Sequence, residues 1–209
     1  MIKKFTKYVG NNFRKPNGIG GKITTKLMNL MNQKQYKAVL DNINLENNDI
    51  LLDIGFGNGY LINKLFRKNN NIKIYGIDIS NDMVNIVSQK YKQYINNNCL
   101  KLLLENINNE TTFESNMFNK IYTVNTVYFW NDLKKCFSEI KRILKPNGIF
   151  INAIYTKEHL DKTKFSNYGF NKYSKEDILN LTEENGMKII KLIEIIKNKS
   201  YCIISKNIK

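Results

Sequence analysis

Three glycines at alternating positions, Gly55, Gly57 and Gly59, follow Asp53 at the end of an apolar run and precede a helix-forming stretch. A strand-to-helix turn of this composition lets backbone pass close to a ligand where side chains would block it. It also delivers the free N–H groups of a helix N-terminus, which favour a carboxylate. Asp53, two positions before the first glycine, suits the cationic ammonium of a methionine moiety. A second strand run ends Gly76–Ile77–Asp78, 19 residues after Gly59. At that spacing a carboxylate on the neighbouring strand tip accepts both hydroxyls of a ribose. Met83 follows in the first turns of the next helix, where its thioether either lies along an adenine ring or packs into the core.

Other phosphate and nucleotide cradles fit less well. The dinucleotide fingerprint requires glycine where Tyr60 stands, and the P-loop requires a Gly-Lys-Ser/Thr that is absent. The cysteines, Cys99, Cys136 and Cys202, are odd in number and have no C-x-x-C spacing, so they point to buried thiols and to no metal site. His159, the single histidine, follows the fifth strand and reads either as a surface residue or as a weak candidate for a general base. Tyr128, Phe129 and Trp130 follow the fourth strand, where they either cap the core or line a pocket at the carboxyl edge of the sheet. Tyr168 belongs to a second aromatic group, with Phe165, Phe170 and Tyr173, in a loop that is a candidate lid or a pinned surface loop.

The elements that must position these residues alternate between short apolar runs and longer helical stripes. Strands are predicted at Ile50–Ile54, Ile72–Ile77, Leu100–Leu104, Lys120–Val124 and Gly148–Tyr155. Helices are predicted near Tyr60–Lys68, Asn81–Tyr94 and Leu133–Leu144, the last stopping at Lys145–Pro146–Asn147–Gly148. Ser174 caps a further helix to about Asn185, and the runs Met187–Ile196 and Tyr201–Ile204 form an antiparallel pair at the sheet edge. Two helical segments within Gly20–Asn44 carry apolar faces that include Leu27, Met28, Tyr36, Val39 and Leu40. The expected fold class is α/β: a Rossmann-like, doubly wound, seven-stranded, mostly parallel sheet with an antiparallel edge strand and N-terminal helices. Residues 1–44 read as a helical extension or lid, and residues 45–209 as the ligand-binding domain.

A chain of 209 residues with 42% hydrophobic residues suffices for one sizeable core. No apolar stretch approaches the roughly 18 residues of a membrane span, and the start lacks an apolar leader, so a cytoplasmic protein is expected. The formal charge of +15 raises nucleic acid as a partner. Nearly all the cations are Lys, with Arg14, Arg67 and Arg142 the exceptions, and phosphate readers favour the Arg fork. A solvated Lys-rich surface is the better reading.

The successive segments ILLDIGFGNGY, YGIDIS-x-x-M, FNKIYTVNTVYFW and LKKCFSEIKRILKPNGIFI resemble the ordered motifs of class I S-adenosylmethionine-dependent methyltransferases. Among these the chain is similar to small stand-alone bacterial enzymes related to quinone-biosynthesis C-methyltransferases. The resemblance implies S-adenosylmethionine as cofactor, held by Asp53, Gly55, Gly57, Gly59, Asp78, Ile79, Met83, Asn106, Ile107, Asn125 and Tyr128. Asn106 would accept from the adenine amino group and Ile107 would offer its N–H. Asn125 departs from the family pattern, in which Glu is frequent at that place. The resemblance further implies a small-molecule acceptor near Tyr128, Trp130 and Tyr168, with Tyr128 a second weak catalytic candidate, no metal, and a monomer or homodimer. An RNA or protein methyltransferase, or a non-catalytic binder of the cofactor, is the alternative. Methyl transfer from a sulfonium is an in-line displacement on an activated carbon, so a site poor in nucleophiles is consistent with catalysis.

Overall fold

Apolar residues run almost unbroken through Ile50–Ile54 and Ile149–Ile154, so both faces of the sheet must be covered. In the computed structural model, which describes residues 30–208, the chain runs α1 (Gln33–Asn42), β1 (Ile50–Ile54), α2 (Tyr60–Lys68), β2 (Lys73–Asp78), α3 (Asn81–Lys90), α4 (Lys92–Asn96) and β3 (Leu100–Leu104). It continues with β4 (Phe118–Val124), a 3₁₀ turn at Val127–Phe129, α5 (Leu133–Ile143), β5 (Leu144–Tyr155), α6 (Lys157–Leu160), α7 (Lys175–Glu184), β6 (Met187–Ile196) and β7 (Ser200–Asn207). The first of the two expected N-terminal helical segments, with Leu27 and Met28, lies outside the described residues apart from its end at Leu30 and Met31.

The seven strands stand in the order β3-β2-β1-β4-β5-β7-β6. Strands β1 to β5 are parallel, and β7 runs antiparallel to both β5 and β6. The two C-terminal runs therefore form the expected antiparallel pair, with β7 inserted beside β5 and β6 outermost. The chain moves outward from β1 to β3, then crosses back to place β4 on the other side of β1. That reversal opens a crevice at the carboxyl ends of β1 and β4, where sheets of this kind take ligands.

Two clusters sandwich the sheet. Leu52, Ile54, Ile121, Phe137 and Ile140 pack on the face covered by α5 and α7. Leu51, Ile62, Leu65, Val87 and Tyr122 pack on the other face with Val39 and Ile43. Helix α1, the described part of the expected extension, is thus built into the core. The alternation puts Asp53 on the same face as Leu51, and its register partner Tyr122 lies beside it on β4.

Several boundaries differ from the sequence expectation, two of them for a visible structural reason. The helix predicted over Asn81–Tyr94 divides at Tyr91, whose backbone leaves helical geometry at φ −116°, ψ 29°. Its ring packs against Gly59 and its hydroxyl donates to Gly59 O at 3.2 Å, a contact that sequence periodicity cannot register. Strand β5 begins at Leu144, paired with Phe118, before the register shifts to Lys120↔Ile149. The Pro-Asn-Gly stop is therefore an irregularity within one strand, with Asn147 at φ 63° and the Asn207 side chain donating to Leu144 O at 2.8 Å. Among the described residues no helix is long and apolar enough to cross a membrane.

Gly59 also yields a stability prediction. It sits at φ 70°, and a Cβ there would lie 2.8 Å from both Val87 Cγ1 and Tyr91 Cε2. Gly59→Ala is expected to destabilise by roughly 2–4 kcal/mol, combining left-handed strain with overpacking. Urea unfolding monitored by far-UV circular dichroism measures this, and an unchanged midpoint would refute it.

Candidate functional site

The crevice at the β1/β4 reversal is a cleft walled by the glycine turn, the tips of β2 and β4, the segment after β3 and helix α1. Asp53, Gly55, Gly57, Asp78, Ile79, Asn106, Ile107, Asn125 and Trp130 line it. The glycines divide their work. Gly55 is at φ 76°, with its N–H on Ile77 O at 2.8 Å, and Thr126 Cγ2 fills the space a Cβ would need. Gly57 is at φ 53° and a Cβ there would meet nothing within 4 Å, so the missing side chain opens directly into the cleft. Gly59 does not line the cleft and instead serves the packing of α2 on α3.

Asp78 organises the turn. Its Oδ2 accepts from Gly57 N at 2.9 Å and its Oδ1 from Ser80 N at 2.9 Å, so one carboxylate ties the glycine loop to the start of α3. Burial raises its pKa to about 6, against the lowering effect of the Ser80, Gly57 and Ile79 amides. Asp53 is pushed further, to about 8, first by burial, with Tyr122 lowering it and the Asp78 charge adding repulsion. Tyr122 Oη lies within electrostatic reach of that carboxylate but outside hydrogen-bond geometry. Neither Asp53 nor Asp78 forms an ion pair among the described residues, whereas Asp49 at the opposite edge of the sheet is paired with buried Lys120. Two buried carboxylates facing a cleft without a cation are what a cationic ligand would require.

Several expected contacts lie elsewhere. Met83 is 2% exposed and packs with Leu61, Val87 and Tyr91, so of its two sequence readings the core one applies. Tyr128 is sealed beneath the cleft, its hydroxyl 3.0 Å from both Asn125 Oδ1 and Tyr155 O and accepting from Tyr155 N. Burial pushes that phenol well above its ordinary pKa, which removes it as a base. His159 lies in a separate surface hollow, and Tyr168 does not reach the cleft. The Asn106 side-chain oxygen is occupied by Asn108 N at 3.0 Å and Asn108 Nδ2 at 2.6 Å. Local turn closure, common for Asn after a strand, takes the atom expected to meet adenine.

The fold supplies lining residues that sequence reasoning missed. Glu105 presents a buried Oε2 with no partner while Oε1 accepts from Thr112, and its signal was a charged residue directly beyond a strand end. Asn32 and Tyr36 come from α1, with the Tyr36 ring stacked on Tyr60 at 4.9 Å and Asn32 Oδ1 accepting from Asn125 Nδ2 at 2.9 Å. A phenol four residues after an amide on an otherwise apolar helix face was the available sign. Burial raises the Tyr36 pKa to about 12, so its hydroxyl stays protonated. Phe56 adds apolar wall beside Phe129, which the sequence already offered as pocket lining.

Residues 52–152 match a family model described as a methyltransferase domain. An uncharacterised methyltransferase of Bacillus subtilis, YdaC, is 27% identical over 123 residues, covering 58% of this chain and 65% of that protein. A tRNA (guanine-N(7)-)-methyltransferase of Clostridium botulinum is 30% identical over 144 residues, covering 60% of this chain and 65% of that one. The aligned part is just under two thirds of the length of these relatives. Among solved structures, a SAM-dependent methyltransferase from Aquifex aeolicus superposes with a TM-score of 0.68 at 21% identity, over 83% of this chain and 89% of that chain. The order of the strands and the acid–glycine turn at their reversal agree with the fold of the solved methyltransferase, and over residues 52–152 the chain is similar to methyltransferase domains.

Proposed function

We propose that this protein transfers the methyl group of S-adenosylmethionine to a small acceptor whose reacting end carries no negative charge. The observation that carries this reading is the pair of buried carboxylates, Asp53 and Asp78, on adjacent strand tips around the open Gly57. Asp53 would face the ammonium of the methionine moiety, and the N-terminus of α2 its carboxylate. Asp78 would accept from the ribose, and Ile79 and Ile107 would flank the adenine. Glu105 Oε2 replaces Asn106 as the acceptor for the adenine amino group, since it alone of the two has an open lone pair. Gly55 and Gly57 let the backbone approach, while Tyr36 and Tyr60 close over the methionine end.

When bound, the cofactor supplies an electrophilic methyl carbon whose bond to sulfur breaks with its electrons leaving on a neutral thioether. The protein's part is to exclude water and align the acceptor. Asn32, Tyr36, Asn125, Phe129 and Trp130 form the wall available for that acceptor. Among the described residues lining the cleft, Asp53, Asp78 and Glu105 are acidic and none is Lys or Arg. In a chain of net charge +15 this local reversal disfavours a phosphate or carboxylate at the reacting end.

The tRNA enzyme among the relatives, together with the basic surface, supports RNA as a second reading. Calorimetry with S-adenosylhomocysteine tests the shared part, with saturable heat and a ligand-dependent rise in Tm expected. No heat and no shift would refute cofactor binding. Label transfer from methyl-labelled cofactor into a metabolite pool is then expected, and label found only in RNA would refute the small-molecule acceptor.

A further inference from the structure

Outside the cleft, α6 and the β6–β7 turn meet across a second hollow, with Glu158, His159 and Lys162 on one side and residues 196–199 on the other. Lys162, Lys197 and Lys199 all line it, and none makes an ion pair among the described residues. The carboxylates just outside the lining already have hydrogen-bond partners, and Glu194 also feels the charge of Lys197. Asp161 is held by Lys157 at 2.6 Å and Lys172 at 3.0 Å. Glu194 Oε1 accepts from Asn198 N and Tyr201 Oη, each at 2.8 Å. Glu158 is thus the one carboxylate in the lining, against three ammonium groups. Within the lining, the excess of two positive charges equals the charge of a phosphate dianion, and the charges of Lys199 and Lys162 both reach His159.

The hollow lies on the same edge of the sheet as the cleft. The His159 ring rests against Tyr155, 4.8 Å between centroids, and Tyr155 Oη donates to Met31 O at 3.1 Å. Met31 precedes Asn32 of the cleft wall, so one residue layer separates the two sites. We propose that this hollow binds the phosphate group of a small molecule, a phosphomonoester or diphosphate, through Lys162, Lys197 and Lys199, with His159 at its inner wall.

His159 is the single histidine of the chain, so its ring resonance reports this hollow and nothing else. Burial and the charges of Lys199 and Lys162 now depress its pKa, and a bound anion would reverse the electrostatic part. In full-length protein titrated with pyrophosphate at constant ionic strength, a saturable shift of the His159 Cε1–H signal and an upward move of its titration midpoint are expected. Lys162→Ala and Lys199→Ala, both at exposed positions, should each weaken that binding roughly tenfold. A shift no larger than chloride produces, or equal affinity in the double variant, overturns the proposal. Tighter binding of single-stranded RNA than of pyrophosphate at matched phosphate concentration also overturns it, because a phosphodiester track would then be the ligand. Two sources of the same phosphate chemistry separate by cofactor affinity. If saturating pyrophosphate changes the Kd of S-adenosylhomocysteine about threefold or more, the ligand is an effector coupled through Tyr155 and Met31; if not, it is the distal end of the acceptor. The His159 titration requires no methyl transfer, so failure of the functional reading would leave this test intact.

Discussion

Affinity for S-adenosylhomocysteine should fall roughly tenfold for each pH unit below about 8, and about a hundredfold per unit below about 6. The ammonium of the ligand needs Asp53, and its ribose hydroxyls need Asp78, as carboxylates, and burial holds their proton-loss midpoints near 8 and 6. Below each midpoint binding must release one more proton. Stability of the free protein runs the opposite way. Both folded pKa values exceed the usual carboxylate value, so the native state binds protons more tightly than the unfolded chain. The contribution is present in full below about pH 4 and is lost as pH rises through the folded midpoints. Asp53→Asn should therefore raise the Tm of the free protein at pH 8 and flatten its pH dependence. It should also weaken ligand binding about a hundredfold, the cost of losing a buried charge–charge contact. Calorimetry and thermal melts between pH 5 and 9 measure both halves. A pH-independent Kd in the parent protein would refute the role given to Asp53.

Removal of Asp78 is expected to act twice. Its carboxylate accepts from Gly57 N and Ser80 N, both at 2.9 Å, and faces the cleft where the ribose is assigned. Asp78→Ala leaves two backbone donors without their acceptor, and charge-assisted bonds of this kind contribute about 1.5–3 kcal/mol each. Affinity should drop at least a hundredfold or so, with faster amide hydrogen exchange at Gly57 and Ser80. Asp78→Asn keeps one acceptor and the shape of the turn, so an intermediate loss is expected. Full-strength binding by the alanine variant would overturn the assignment of the ribose.

The strands from β1 to β7 and the glycine turn were legible because their signals are local. Alternation of apolar residues marks a strand, a Gly-x-Gly-x-Gly run marks a close backbone approach, and an acid at a strand end marks a polar tip. The same reasoning could not distinguish a side chain aimed into the cleft from one aimed beneath it. Met83 is sealed in a cluster shared with Leu61 and Ile62 of α2, and Tyr128 is tied to Tyr155, 27 residues on. Asn106 had the right chemistry, but its oxygen was consumed by the next turn.

By itself the sequence determined the sheet, the acid–glycine turn and the class of cofactor, because each depends on residue types at short fixed spacings. Only the tertiary structure decided which walls complete the site. Helix α1 folds back to contribute Asn32 and Tyr36, Glu105 Oε2 stays open at the cleft while Asn108 occupies the Asn106 oxygen, and His159 lies with three lysines at a different hollow. The walls from α1 and from residues 196–199 come from segments far apart in the chain, and the local turn after β3 decides which side-chain oxygen stays open.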